Sequence, residues 1–181
     1  KLGRAGPRPP ATSGMEPENH APSFDGVTSH VRGPRSLLND REAFTMAGWI
    51  RPNRSQSNRT GLWGQNDAVE FGFINNSTLQ LWSPSGSVEL RYPHRTGEWH
   101  HITTVGSGKS LEIYVDGIRK ATAPGGGNNY GRSEFNFNVG GGGVFDARGN
   151  GFSGQIDEVS FWKRALSSEE VGRLFTRQAA V

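Results

Sequence analysis

Hydrophobic and polar positions alternate with a period of two along most of the chain. Val69-Glu70-Phe71-Gly72-Phe73 puts Val69, Phe71 and Phe73 on one face, and Val88-Glu89-Leu90-Arg91-Tyr92 and Phe135-Asn136-Phe137-Asn138-Val139 repeat the pattern. Phe44 to Ile50 is an apolar run stopped by Pro52, and Leu79 to Trp82 follows an Asn-Asn-Ser turn. Trp99 to Val105 and Ile156 to Trp162 also read as strands. Leu111 to Val115 runs into Asp116-Gly117, a favoured two-residue hairpin turn. The turns come too close together for βαβ crossovers. The pattern predicts an all-β fold, with two antiparallel sheets packed face to face. Trp49, Phe71, Phe73, Ile113, Val115, Phe137 and Val159 should be mostly buried.

One segment breaks the alternation. Ser167-Ser168-Glu169-Glu170 is a capping box, with Leu166 and Val171 placed for a hydrophobic staple. Val171, Leu174 and Phe175 then follow at helical spacing, so a short C-terminal helix should dock on the sandwich.

Composition agrees with this reading. Of 181 residues only 33% are hydrophobic and 26 are glycine, which suits turn-rich sheets better than a helical bundle. The net charge of +3 comes without any tight Lys/Arg run, so the footprint of a nucleic-acid binder is missing. There is no cysteine, which excludes disulfides, thiolate zinc sites and cysteine nucleophiles. No stretch reaches the ~18 apolar residues of a membrane span, and no membrane insertion is expected. Residues 1–21, rich in Pro, Gly and Arg near their start, read as a linker or partly disordered tail, and residues 22–181 as the sandwich domain.

Most motifs that suggest chemistry have a plainer explanation. Gly106-Ser107-Gly108-Lys109-Ser110 lacks the upstream glycine of a phosphate loop and joins two strands. His100 and His101 are adjacent on a strand, so they point to opposite faces and cannot chelate one metal together, and His20, His30 and His94 show no ligand spacing. The clusters Gly125 to Gly127 and Gly140 to Gly143 fit tight turns and close backbone approach. Asn53, Asn58, Asn75 and Asn76 begin glycosylation sequons that chiefly mark polar loops. Trp49 and Trp99 fit strand packing. Trp63 and Trp82 lie among Gly, Asn and Ser, and are the candidates for stacking on a sugar.

Several segments, taken in order, carry a resemblance. They are Ser23-Phe24-Asp25-Gly26, Trp49-Ile50-Arg51-Pro52, Gly97-Glu98-Trp99-His100-His101-Ile102, Tyr114-Val115-Asp116-Gly117, Val139-Gly140-Gly141 and Phe152-Ser153-Gly154-Gln155-Ile156-Asp157-Glu158, followed by Arg164-Ala165-Leu166-Ser167. Together, from about residue 23 to 176, they resemble the laminin-G-like / concanavalin-A-like lectin family in its bacterial form.

The resemblance implies a jelly-roll sandwich riding on a larger secreted, periplasmic or cell-surface protein. It implies a non-catalytic recognition module that binds a carbohydrate or a protein partner. The alternative is a structural spacer domain with no ligand beyond a metal ion. Glycoside hydrolysis is a third reading, since the same fold hosts retaining glycosidases with a Glu-x-Asp-x-x-Glu strand. Here the two glutamate positions hold Gln155 and Ser160, and only Asp157 survives, so the carboxylate pair that chemistry needs is missing. The resemblance also implies a structural calcium ion (Ca2+) where the Phe-Asp-Gly segment meets the late Ile-Asp-Glu strand. Asp25 and Asp157 would supply charge, and carbonyls near Gly26 and Ser29 would complete the shell.

Overall fold

The period-two segments are strands. In the computed structural model, which describes residues 3–8, 12, 15–127 and 129–176, fourteen strands and one helix follow one another. They are β1 Arg4–Ala5, β2 His20–Ala21, β3 Ser23–Asp25, β4 Val31–Arg35, β5 Phe44–Pro52, β6 Thr60–Gln65 and β7 Val69–Asn75. Then come β8 Thr78–Ser83, β9 Gly86–Arg91, β10 His100–Gly106, β11 Ser110–Val115, β12 Ile118–Pro124, β13 Asn136–Val139, β14 Ser153–Trp162 and α1 Ser168–Thr176. The first large sheet runs β12-β11-β10-β5-β14-β3, and the second runs β4-β13-β6-β7-β8-β9. All pairings are antiparallel.

The core lies between these sheets. Phe71, Phe73, Ile113, Val115 and Phe137 are buried in it, as the alternation predicts. Trp49 is buried as well, though outside this core, and Val159 falls short. Trp49 is buried on the opposite face of its sheet, where its ring lies 5.1 Å from His101 and 5.7 Å from Phe175 of the helix. Val159 is only half-buried, because β14 carries a bulge. Asp157 pairs with Trp49 and Ser160 with Ala47, so one extra residue is accommodated, and Glu158 turns to φ 53°.

The helix docks on the outer face of the first sheet. Ser167 Oγ accepts from the Glu170 amide at 3.2 Å, and Glu170 Oε2 accepts from the Ser167 amide at 2.8 Å, completing the capping box. Leu166 and Val171 pack with Val105 and Tyr114 in a small second cluster.

Part of the amino-terminal segment expected as a linker or tail makes contacts with the sandwich. β1 pairs with β2, and the Ala5 carbonyl accepts from Gln155 Nε2 at 3.1 Å. Met15 and Ala21 are buried. These contacts are largely hydrogen bonds of backbone and polar side chains, which need no hydrophobic periodicity and so leave no signal in that pattern.

Candidate functional site

The second sheet presents one row of outward positions across all six strands. Pairing joins Arg32 to Asn138, Asn138 to Gly64, Gly64 to Glu70, Glu70 to Trp82, and Trp82 to Ser87. In β8 the burial alternates: Leu79 and Leu81 enter the core, while Thr78, Gln80 and Trp82 face out. Gln80 Nε2 donates to Glu89 Oε1 on the neighbouring strand at 2.7 Å. The result is a polar sheet face with a single half-exposed tryptophan among its outward residues.

A loop that follows β13 roofs part of this face. A Cβ at Gly72 would come within 2.9 Å of the Phe145 ring, so the glycine makes room for that ring on the sheet. Arg59 lies 5.2 Å above the Phe145 ring and pairs with Asp146 at 3.3 Å, which fixes the loop to the start of β6. Gly143 accepts from Asn66 at 3.0 Å over the Asn138 end of the row. Asn138 Oδ1 is buried there without a hydrogen-bond partner among the described residues. The Trp82–Ser87 end stays open.

Glu70 lies at the boundary between roofed and open parts. It is 5% exposed, and burial pushes its carboxyl up to about 7, against the pull of the Asp67 amide that donates to Oε1 at 2.9 Å. A neutral carboxylic acid beside an indole is both a hydrogen-bond donor and an acceptor.

Of the two tryptophans expected to stack on sugars, only Trp82 lies on this face. Trp63 is 0% exposed and faces the core, with its ring 5.3 Å from Phe71. A register shift between Gly61 and Trp63 breaks the alternation, so Leu62 and Trp63 are both buried. Across the sandwich, Gly48 leaves the room this indole needs: a Cβ there would lie 3.1 Å from it.

Of the residues expected to hold calcium, Asp25, Gly26 and Ser29 share one turn, and Asp157 stands apart from them. Asp25 pairs with Ser153, four positions from Asp157 along β14, which is about 13 Å of strand. Asp25 Oδ1 instead accepts from the amides of Val27, Thr28 and Ser29 at 2.8, 2.9 and 3.0 Å, and Thr28 Oγ1 donates to Oδ2 at 3.0 Å. Those donors hold its carboxyl far below the usual carboxylate range. Asp157 Oδ2 accepts from Asn19 Nδ2 at 2.8 Å. Asp25 thus closes a turn by accepting from the amides that follow it. Thermal melts with calcium and with chelator test the expected site: an unchanged midpoint is the result if Asp25 keeps its amide donors. A rise in calcium that Asp25→Asn abolishes would show that the carboxylate exchanges its amides for an ion.

The cross-strand row was invisible in the sequence, because its members are scattered from Arg32 to Asn138 and only the strand order joins them.

Comparison with known proteins places this architecture. Domain 4 of the GH43 extracellular arabinanase AbnA from Geobacillus stearothermophilus, solved in complex with arabinotriose, is similar with a TM-score of 0.69 and 20% identity, over 97% of this chain and 87% of that one. The CBM40 of the Ruminococcus gnavus IT-sialidase, solved bound to α2,3-sialyllactose, is similar with a TM-score of 0.63 and 11% identity, over 86% and 97%. A heptameric SAP-like pentraxin from Limulus polyphemus gives 0.63 and 19%, over 86% and 81%. At these identities the likeness is one of fold. No curated protein sequence matches the chain significantly. The family model Laminin_G_3, described as the concanavalin A-like lectin/glucanases superfamily, matches residues 25–172. With two antiparallel sheets in jelly-roll arrangement and a family match over most of its length, the chain belongs to the concanavalin A-like lectin/glucanases superfamily.

Proposed function

We propose that this protein is a non-catalytic carbohydrate-binding module of an extracytoplasmic protein, and that the glycan lies on the open part of the second sheet's outer face. The observation that carries this reading is Trp82, half-exposed among outward polar side chains. A pyranose offers an apolar C–H face and a rim of hydroxyls. The indole supplies a flat partner for the first, and Gln80, Glu89 and Ser87 supply donors and acceptors for the second. The fold's neighbours solved with arabinotriose and sialyllactose support the ligand class.

The non-catalytic part rests on the strand where a glycosidase of this fold would place its carboxylates. Gln155 accepts from Arg51 at 3.0 Å and donates to the Ala5 carbonyl, so the β1 segment covers it. On the outer face of the other sheet, Glu70 Oε1 accepts from the Asp67 amide at 2.9 Å and Glu89 Oε1 from Gln80 Nε2 at 2.7 Å.

A glycan array followed by calorimetric titration tests the proposal. Trp82→Ala is expected to weaken the best ligand by about tenfold or more, with the circular dichroism spectrum unchanged. Binding unaffected by that substitution would move the site elsewhere, and an array with no ligand would favour the spacer reading.

A further inference from the structure

We propose that His94, His100 and Asp116 form a binding site for a divalent transition metal of the zinc class, which fastens the crossover between the two sheets. The sequence gives no ligand spacing for this set, and the fold alone assembles it. His94 lies in the segment between β9, at the edge of the second sheet, and β10, in the first. His100 is the first residue of β10. Asp116 holds the β11–β12 turn in the left-handed region at φ 50°. One donor atom from each of the three lies within 4.8 Å of the other two.

The donor set is suited to such an ion. Two imidazoles and a carboxylate are the ligands zinc takes, with a water completing the tetrahedron. Calcium and magnesium prefer all-oxygen shells, so the imidazoles select against them. The carboxylate is already aimed: Asp116 Oδ1 accepts from the His101 amide at 2.9 Å, which leaves Oδ2 for His100 Nδ1 at 2.8 Å. A cation in place of the shared proton would open that pair only slightly, since ligand atoms ~2.1 Å from zinc stand roughly 3.4 Å from one another. The movement that remains falls to His94, which sits on a loop rather than a strand.

The surroundings point the same way. The His94 and His100 rings lie 3.7 Å apart at 31°, with Tyr92 packed edge-on to both. Glu98 Oε2 stands 3.6 Å from His100 Nε2, a second carboxylate at the rim. All three ligands are partly exposed, so an ion and its water can enter from solvent.

Bound there, the metal would link a segment leaving the second sheet to a hairpin turn of the first. It would raise the stability of the native state in proportion to its occupancy.

The test uses the whole chain, stripped with chelator and titrated with zinc chloride near neutral pH. One zinc per chain is expected, together with a higher melting temperature, and calcium and magnesium should produce neither. Cobalt(II) should give the visible absorption of a tetrahedral site. His94→Ala is expected to weaken zinc binding at least about tenfold while leaving the metal-free melting temperature close to that of the parent. His20→Ala and His30→Ala should change nothing. Absence of saturable binding, or binding that survives His94→Ala, or binding lost with His20→Ala or His30→Ala, would overturn the assignment.

Discussion

Trp63→Ala should lower the stability of this protein by about 3–5 kcal/mol, the range for removing a large aromatic side chain from a closed core. The indole is fully enclosed and packs against Phe71 from the facing strand and across to Gly48 of the other sheet. Its removal opens a cavity between two sheets that hydrogen bonding holds at fixed curvature, so little collapse can fill it. Urea titration is the measurement: the midpoint should fall while the slope stays the same. Trp63→Phe should recover part of the loss. If Trp63→Ala instead kept its stability and lost glycan binding, the indole would have to reach the surface, contrary to the packing described.

Glu70→Gln should produce the second largest effect, and it depends on pH. The buried carboxyl holds its proton up to about 7 in the folded protein, whereas in the unfolded chain it ionises near its ordinary 4.5. Between these values the native state binds more protons than the unfolded one, so this group makes stability fall as pH rises from about 4.5 to about 7 and leaves it level above. Glutamine keeps an oxygen for the Asp67 amide and cannot ionise. The variant should therefore gain on the order of 2 kcal/mol over the parent at about pH 8 and almost nothing at about pH 4, allowing for partial screening by solvent. Urea midpoints of both proteins across this range would show it. Parallel pH profiles for the two proteins would mean that Glu70 ionises in the folded state at its ordinary value, as it does in the unfolded chain.

The sheets were legible because burial on one face imposes a period of two, and hairpin turns such as Asp116-Gly117 mark where strands reverse. The helix was legible because its capping box uses specific side chains. Where a bulge interrupts the period, the reading failed. Trp63 was placed at the surface although it belongs to the core, since the shift beside Gly61 cannot be seen in Gly-Leu-Trp-Gly. Val159, next to the bulge at Glu158, is half-buried against the core rather than enclosed in it. The amino-terminal ribbon was missed because it is held by backbone and polar contacts. The candidate site was half legible: Trp82 stood out by residue type and setting, but Glu70 gained its meaning only once β7 was laid beside β8. The histidine–aspartate cluster lay beyond reach for the same reason, since His94 meets Asp116 only through the crossover between sheets.

The β1–β2 ribbon and helix α1 both rest on the outside of the first sheet, one against Gln155 and Asp157, the other over Trp49 and Tyr114. Both described extremities of the chain are thus gathered behind the sandwich, and the Trp82 face looks the other way. Anything joined at either extremity, whether another domain, a surface or an immobilising tag, would stand at the back of the module. Such a layout behaves like a stamp on a handle. If that face holds a glycan as proposed, it would meet a flat polysaccharide without the attachment passing between them, and several copies side by side on one support would all present the same side outward.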